Sequence, residues 1–275
     1  MNTDNECSII VRLSILICIL LLVVSCVGLL FPSTYSAETP NWTAQAVGQD
    51  MFDLFLVVPF LLVTAIFIHK KSRKALLLWS GAMLYTIYSF LIYCFAVNFN
   101  NLFIIYCLIL GLSFYSFAYY LVGQLRRSAG NWFKEGIPVK AVGYYFIGIA
   151  CAFYLLWLSE IVPSIMAGTT PKNIIEMGLL TNPVHALDLS IALPGIFIVA
   201  VLLLKRKTLG LLLAPAVLIF VILMDVTIGG LNIVMRARGL EGSYVISTVM
   251  VVLALVSVLL LIRYLKGVNL TPTRT

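Results

Sequence analysis

The sequence predicts an all-α, polytopic membrane bundle: eight transmembrane helices arranged as two parallel four-helix repeats. Three observations carry this expectation. The composition is too apolar for water, eight long apolar runs alternate with short loops of alternating charge, and one polar motif occurs twice. Hydrophobic residues make up 62% of the 275 positions and charged residues 11%, against about 25% charged in soluble domains. With a mean hydropathy of +1.07, the chain suits a lipid bilayer, which is its first expected partner. The net charge of +7 could suit nucleic acid. The basic residues, however, lie in short clusters between apolar runs, as sidedness in a membrane requires, so no nucleic-acid partner is expected.

The first run, 8–31, is long enough to cross a core of about 30 Å. Val23-Val24-Ser25-Cys26 has the outline of a lipoprotein cleavage site. The run continues through Phe31, and Asp4 and Glu6 precede its one basic residue, Arg12, so an uncleaved span is expected. Further spans are expected at 51–69, 75–97, 101–124, 140–163, 184–204, 209–235 and 243–265. A polar stretch, 32–50, separates the first two, with an interfacial amphipathic piece around Trp42–Val47. The six cysteines show no C-x-x-C spacing, so neither a disulfide framework nor a zinc site is read from them.

Alternate loops differ in charge. His69–Lys74, Gln124–Lys140, Lys205–Lys207 and the tail are basic. Together with Arg12 they hold 15 of the 18 Lys and Arg residues, leaving Lys172, Arg236 and Arg238 on the other side. The expected location is the plasma membrane, with both termini cytoplasmic.

The recurring motif is Q-D-M-F-D-L-F-L-V-V-P at Gln49–Pro59 and H-A-L-D-L-S-I-A-L-P at His185–Pro194. Aligning Asp53 with Asp188 also matches Pro59 with Pro194 and Lys70 with Lys205. This divides the chain into a four-span half over 1–124, a cytoplasmic linker over 125–139 and a second half over 140–275. Each half has an even number of spans, so the two share one orientation, related by a pseudo-two-fold axis along the membrane normal. Gly48-Gln49-Asp50, Asp53-Leu54 with Pro59, Tyr85 with Tyr88, Asn101-Leu102-Phe103 and Gly111-Leu112-Ser113 also resemble a family of uncharacterised prokaryotic eight-span membrane proteins. That resemblance implies architecture and no activity.

The polar residues supply the candidate ligand-binding set: Asp50, Asp53, Tyr85, Tyr88, Glu160, His185, Asp188 and Asp225. Asp50 with Asp53, and His185 with Asp188, are three residues apart and share a helix face. One reading makes each pair an ordinary helix start, with the carboxylate capping free N–H groups. The other adds the helix breaks. Pro59 and Pro194 cannot donate to the carbonyls of Phe55 and Ser190. Carboxylate and freed carbonyl together would suit a small cation, a proton or an amine. Asp225 stands inside an unbroken apolar run, where an ionised carboxylate costs at least about 2.5 kcal/mol. It is expected to face inward and either pair across helices or stay protonated, in an outward-facing cavity that also touches Asp53 or Asp188. Tyr85 and Tyr88 either line that cavity or bridge helices.

No H-E-x-x-H, G-x-S-x-G, P-loop or Rossmann glycine pattern occurs. No metal site and no cofactor can be named, no catalytic residue is assigned, and oligomeric state is not legible. The repeat, the interrupted helices and the acids gathered toward one face point to a small-molecule or ion transporter or permease-like binder. The alternatives are an intramembrane enzyme acting on a lipid-like substrate through His185, Asp188, Glu160 and Asp225, and a non-catalytic membrane subunit.

Overall fold

The computed structural model describes residues 3–126 and 132–269, with side chains from Asn5 onward. Part of the expected linker and Arg274 of the basic tail lie outside the described residues. The described chain is helical, and its one β-type contact is an isolated bridge between Phe133 and Val268. In chain order the helices are α1 (Thr3–Leu30), α2 (Pro40–Phe52), α3 (Val58–His69), α4 (Arg73–Ala96), α5 (Phe103–Arg126), α6 (Val139–Ala167), α7 (Lys172–Met177), α8 (Pro183–Leu187), α9 (Leu193–Leu204), α10 (Thr208–Ala237) and α11 (Tyr244–Lys266). Five-residue π-turns join α2 to α3 (Asp53–Val57) and α8 to α9 (Asp188–Ala192). With those joins, eight helices are long and apolar enough to cross a membrane. The expected eight-helix membrane bundle is therefore present.

Helix starts are set locally. Thr39 accepts from the Trp42 N–H with Pro40 in the first turn, and Asn182 accepts from the Val184 and His185 N–H groups with Pro183 in the first turn. Ser72 and Ser243 cap α4 and α11 in the same way. The cap at Thr39 corrects one expected boundary. The second span begins at Pro40, eleven residues before the expected start at 51, so the segment read as interfacial is continuous with the span. The Trp42 indole is buried against the end of α4, donating to the Ala96 carbonyl at 2.9 Å.

Helices α4 and α10 are the most buried and pack against each other at the centre. Gly81 permits that contact: a Cβ there would lie 2.5 Å from the Ala216 carbonyl and from Ile219 Cβ. Around this pair, α1 packs on α3, α6 on α9, α5 on α4 and α11 on α10. Two further contacts are reciprocal, α2 against α10 and α8 against α4. Buried side-chain bonds fasten the layers. Trp79 donates to Ser14 Oγ at 2.8 Å, and Tyr264 donates to the Leu211 carbonyl at 2.8 Å.

Several local geometries recur at one spacing. Among the described residues, Lys71 (φ 61°) and Arg206 (φ 51°) are the non-glycine residues with positive φ. The Lys71 N–H donates to Ile68 and the Arg206 N–H to Leu203, both at 2.8 Å. Ser72 donates to Phe67 and Lys207 to Leu202, at 3.0 and 2.9 Å. The π-turns start at Asp53 and Asp188, and the central contact joins Gly81 to Ala216. Every one of these pairs is separated by 135 residues.

At the end of the bundle that carries the basic loops, the linker is docked on the last helix. Lys134 donates to the Gly267 carbonyl and Asn269 to the Trp132 carbonyl, both at 2.9 Å. The Arg73 guanidinium lies over the Trp132 ring at 5.2 Å, and Arg206 Nη2 donates to the Glu135 carbonyl at 3.2 Å.

Candidate functional site: two carboxylate networks joined by one helix

At the end away from the basic loops, the candidate residues form two hydrogen-bonded networks. In the first, Asp50 is wholly buried in the third turn of α2. Its Oδ2 accepts from the Tyr35 hydroxyl at 2.7 Å, and its Oδ1 from the Tyr93 hydroxyl at 2.9 Å. Tyr93 also reaches the Ala46 carbonyl at 3.1 Å. Tyr35 lies in the connection before α2. Burial, and then the adjacent Asp50 carboxylate, push its phenol well above the ordinary range, which keeps it a donor. Room for the carboxylate comes from Gly28 of α1, where a Cβ would stand 1.9 Å from Asp50 Oδ2. The helix-start reading of this pair is therefore corrected. The cap is Thr39, and Asp50 sits about 15 Å along the helix at 1.5 Å per residue.

Asp53 opens the first π-turn with a relative exposure of 1%. Its Oδ1 accepts from Gln49 Nε2 at 3.0 Å, and Oδ2 has no hydrogen-bond partner. Gln49 Nε2 also donates to the Tyr85 hydroxyl at 2.7 Å, which lies 2.9 Å from Thr227 Oγ1 on α10. A chain of polar atoms thus runs from Asp53 across α4 to the second half of the sequence.

The second network centres on Asp188 at the start of the second π-turn. Its Oδ1 accepts from the Tyr88 hydroxyl at 2.9 Å and its Oδ2 from Trp157 Nε1 at 2.8 Å. Trp157 packs against the His185 ring with centroids 4.5 Å apart, and His185 Nε2 lies 3.6 Å from Glu160 Oε2. Tyr85 and Tyr88, both on α4, serve one network each, so this helix holds the two carboxylate motifs together.

The helix breaks take the same form in both copies. The Val58 N–H donates to the Asp53 carbonyl and the Leu193 N–H to the Asp188 carbonyl, each skipping one residue beyond the α pattern. Pro59 and Pro194 follow directly. The wider turn absorbs the missing N–H and the bulk of each proline ring, and turns of this kind concentrate at functional sites.

Asp225 is buried, with 4% exposure, and faces into the bundle. Its Oδ2 has no hydrogen-bond partner. Its electrostatic neighbour is Tyr145 of α6, whose hydroxyl is bonded to Ser257 and the Leu253 carbonyl of α11. No hydrogen bond links Asp225 to either motif among the described residues; Thr227, two positions on, makes that contact instead. Two pockets flank α8, of about 410 and 310 Å³. His185 lines the smaller, while Asp50, Asp53, Asp188 and Asp225 line neither. Among the described residues no three His, Cys, Asp or Glu side chains gather as a metal site.

Sequence reasoning missed Tyr35, Trp157 and Thr227 as parts of the site. Gln49 was visible inside the motif, but its bridging role depends on α4 and α10 coming close. No protein-family model matches the chain, and neither a curated protein nor a solved structure matches it. Fold and site together therefore define the class: an eight-helix membrane bundle with two carboxylate networks, one buried around Asp50 and Asp53 and one half-buried around Asp188.

Proposed function

We propose that the protein is a plasma-membrane carrier, with both termini in the cytoplasm, that moves a small cation or protonated amine in exchange with a proton. The observation that carries this reading is Asp53: a fully buried carboxyl with one oxygen unpartnered, tied through Gln49 and Tyr85 to Thr227 of the other half. An ionised carboxylate in such a place needs a proton or a cation, and exchanging one for the other couples the two. Asp50 differs, since two tyrosine hydroxyls already satisfy it. The backbone geometries spaced 135 residues apart support two equivalent halves that rock about the α4–α10 contact.

Purified protein in liposomes loaded with a pH-sensitive dye tests this. Addition of small cations and amines on the side of the short, weakly charged loops should drive proton release that Asp53→Asn abolishes. Flux equal in Asp53→Asn and the unaltered protein would sink the reading. A second reading, an acid–base enzyme working on a lipid, draws on the Glu160–His185 pair beside a pocket. Chemical conversion of extracted lipids that disappears in His185→Ala would favour it.

A further inference from the structure

The six cysteines are scattered along the sequence, yet packing brings two of them together. Cys94 lies two residues before the end of α4, and Cys107 is the fifth residue of α5. These helices pack against each other and are joined by residues 97–102. Across their seam the two thiols are within hydrogen-bond reach of one another. The residue before each cysteine shows the same close approach, since the Tyr93 and Tyr106 rings have centroids 5.0 Å apart. The remaining cysteines sit elsewhere. Cys7 and Cys26 belong to α1, Cys151 to α6, and Cys18 of α1 is buried with its thiol donating to the Val58 carbonyl.

The pair is also placed where a thiol can react. At 1.5 Å per residue, Cys94 is about 3 Å and Cys107 about 6 Å inside its helix end, within the polar interface that flanks the hydrocarbon core. The connection between them carries Asn98, Asn100 and Asn101. The reactive form of a cysteine is the thiolate, which needs water. Cys107 is exposed and Cys94 half-buried behind it, so one thiol is placed to meet a reagent and the other to follow.

We infer that Cys94 and Cys107 are a dithiol that closes to a disulfide at the end of the bundle away from the basic loops, by exchange with a disulfide donor of the oxidising compartment outside the cell. The compartment rests on the orientation proposed above; the pairing does not. The Cys107 thiolate attacks one sulfur of the donor, forms a mixed disulfide and expels the donor's other sulfur as a thiolate. The Cys94 thiolate then attacks the Cys107 sulfur and expels the second donor thiolate. The two protons given up by the cysteines end on two donor thiols, so the donor is reduced as the pair is oxidised. Two cysteines whose thiols already meet have side chains directed at each other, as a disulfide requires. The bond ties α4 to α5 one residue beyond Tyr93, whose hydroxyl donates to Asp50 at 2.9 Å. The redox state of the pair therefore acts on an anchor of the first carboxylate network.

The test uses the full chain in nanodiscs, reduced, freed of reductant and treated with oxidised glutathione. After an acid quench the protein is unfolded and its free thiols are blocked with N-ethylmaleimide. Mass spectrometry should find four of the six cysteines blocked and a peptide containing Cys94 linked to one containing Cys107. The closed form should unfold at a higher temperature than the reduced form, because the link restricts the unfolded chain. In Cys94→Ser, glutathione should stay on Cys107 with nothing to resolve it, and the gain in unfolding temperature should be lost. Six blocked cysteines after oxidation, a link mapped to another pair, or a stable glutathione adduct on Cys107 of the unaltered protein would overturn the pairing. Those outcomes are read in the unaltered protein, so they hold even where the variant fails to fold. Cells quenched in acid before lysis test the compartment, and a pair already oxidised is expected. A pair that closes with glutathione but stays reduced in cells would put this end in the cytoplasm, overturning the orientation and leaving the dithiol standing.

Discussion

Asp50 and Asp53 show how neighbouring carboxyls in one helix acquire different jobs from their surroundings. Asp50 has two hydroxyl donors and a glycine that clears space for it, whereas Asp53 has one amide donor and an empty second oxygen. Gly28→Ala should therefore destabilise the protein by about 1–3 kcal/mol, the usual penalty for overpacking, seen as a lower unfolding temperature in detergent. Tyr93→Phe removes a donor from a buried carboxylate and should cost about 1.5–3 kcal/mol in the same measurement. Stability equal to the unaltered protein in both variants would mean that Asp50 is not held as described. The motif itself was legible, because acids are rare in so apolar a chain. Its partners were not. Tyr35, Tyr93 and Thr227 meet it across helices, and periodicity along one helix says nothing about which tyrosine a neighbouring helix presents.

The two π-turns link sequence to geometry at the scale of the element. Proline six residues after the aspartate predicted an interruption in both copies; the form it took, one extra residue in the turn, needed the backbone. That residue has leverage. In a helix at 3.6 residues per turn, one residue is about 100° of rotation, so returning the segment to α register would swing everything before it to a different face. Pro194→Ala should permit that return. Asp188 would lose Trp157 and Tyr88, and the Trp157 emission would shift while the protein stayed folded. An unchanged spectrum, with Trp42, Trp79 and Trp132 each replaced by Phe, would show that packing against α4 and α6 fixes the wide turn without the proline. The missed start of α2 belongs at this scale too. A threonine cap followed by proline is a strong start signal, but the polar composition of residues 40–50 masked it.

For the whole molecule, hydropathy was sufficient to find all eight spans, because a helix that must bury its backbone in lipid has few alternatives. Which helices occupy the centre was less visible. α4 has lower hydropathy than most of the others yet is the most buried, since polar residues in a membrane bundle collect where helices meet each other instead of lipid. The basic loops predict which end faces the cytoplasm. A reporter active only outside the cell should score positive when fused after Ser36, Asn100 or Thr170 and negative after Lys71 or Lys207. The inverted pattern would place both networks toward the cytoplasm. Gly81→Val should separate α4 from α10 and prevent recovery of a monodisperse protein, whereas Gly148→Val, where a Cβ meets nothing within 4 Å, should be tolerated.

The docked linker has a consequence for how the chain can be cut and rejoined. Residues 132–135 lie against Gly267–Asn269 and Arg206, so the junction between the halves and the end of the last helix share one small contact at the basic-loop end. Eight crossings also bring the start of α1 to that end. A circular permutant that begins at Trp132, runs through Asn269 and returns by a short glycine-serine bridge to residues 3–126 would need no helix to reverse its direction. The order in which the ribosome delivers the two halves to the membrane would be exchanged, while each strand of backbone at the linker contact kept its neighbour.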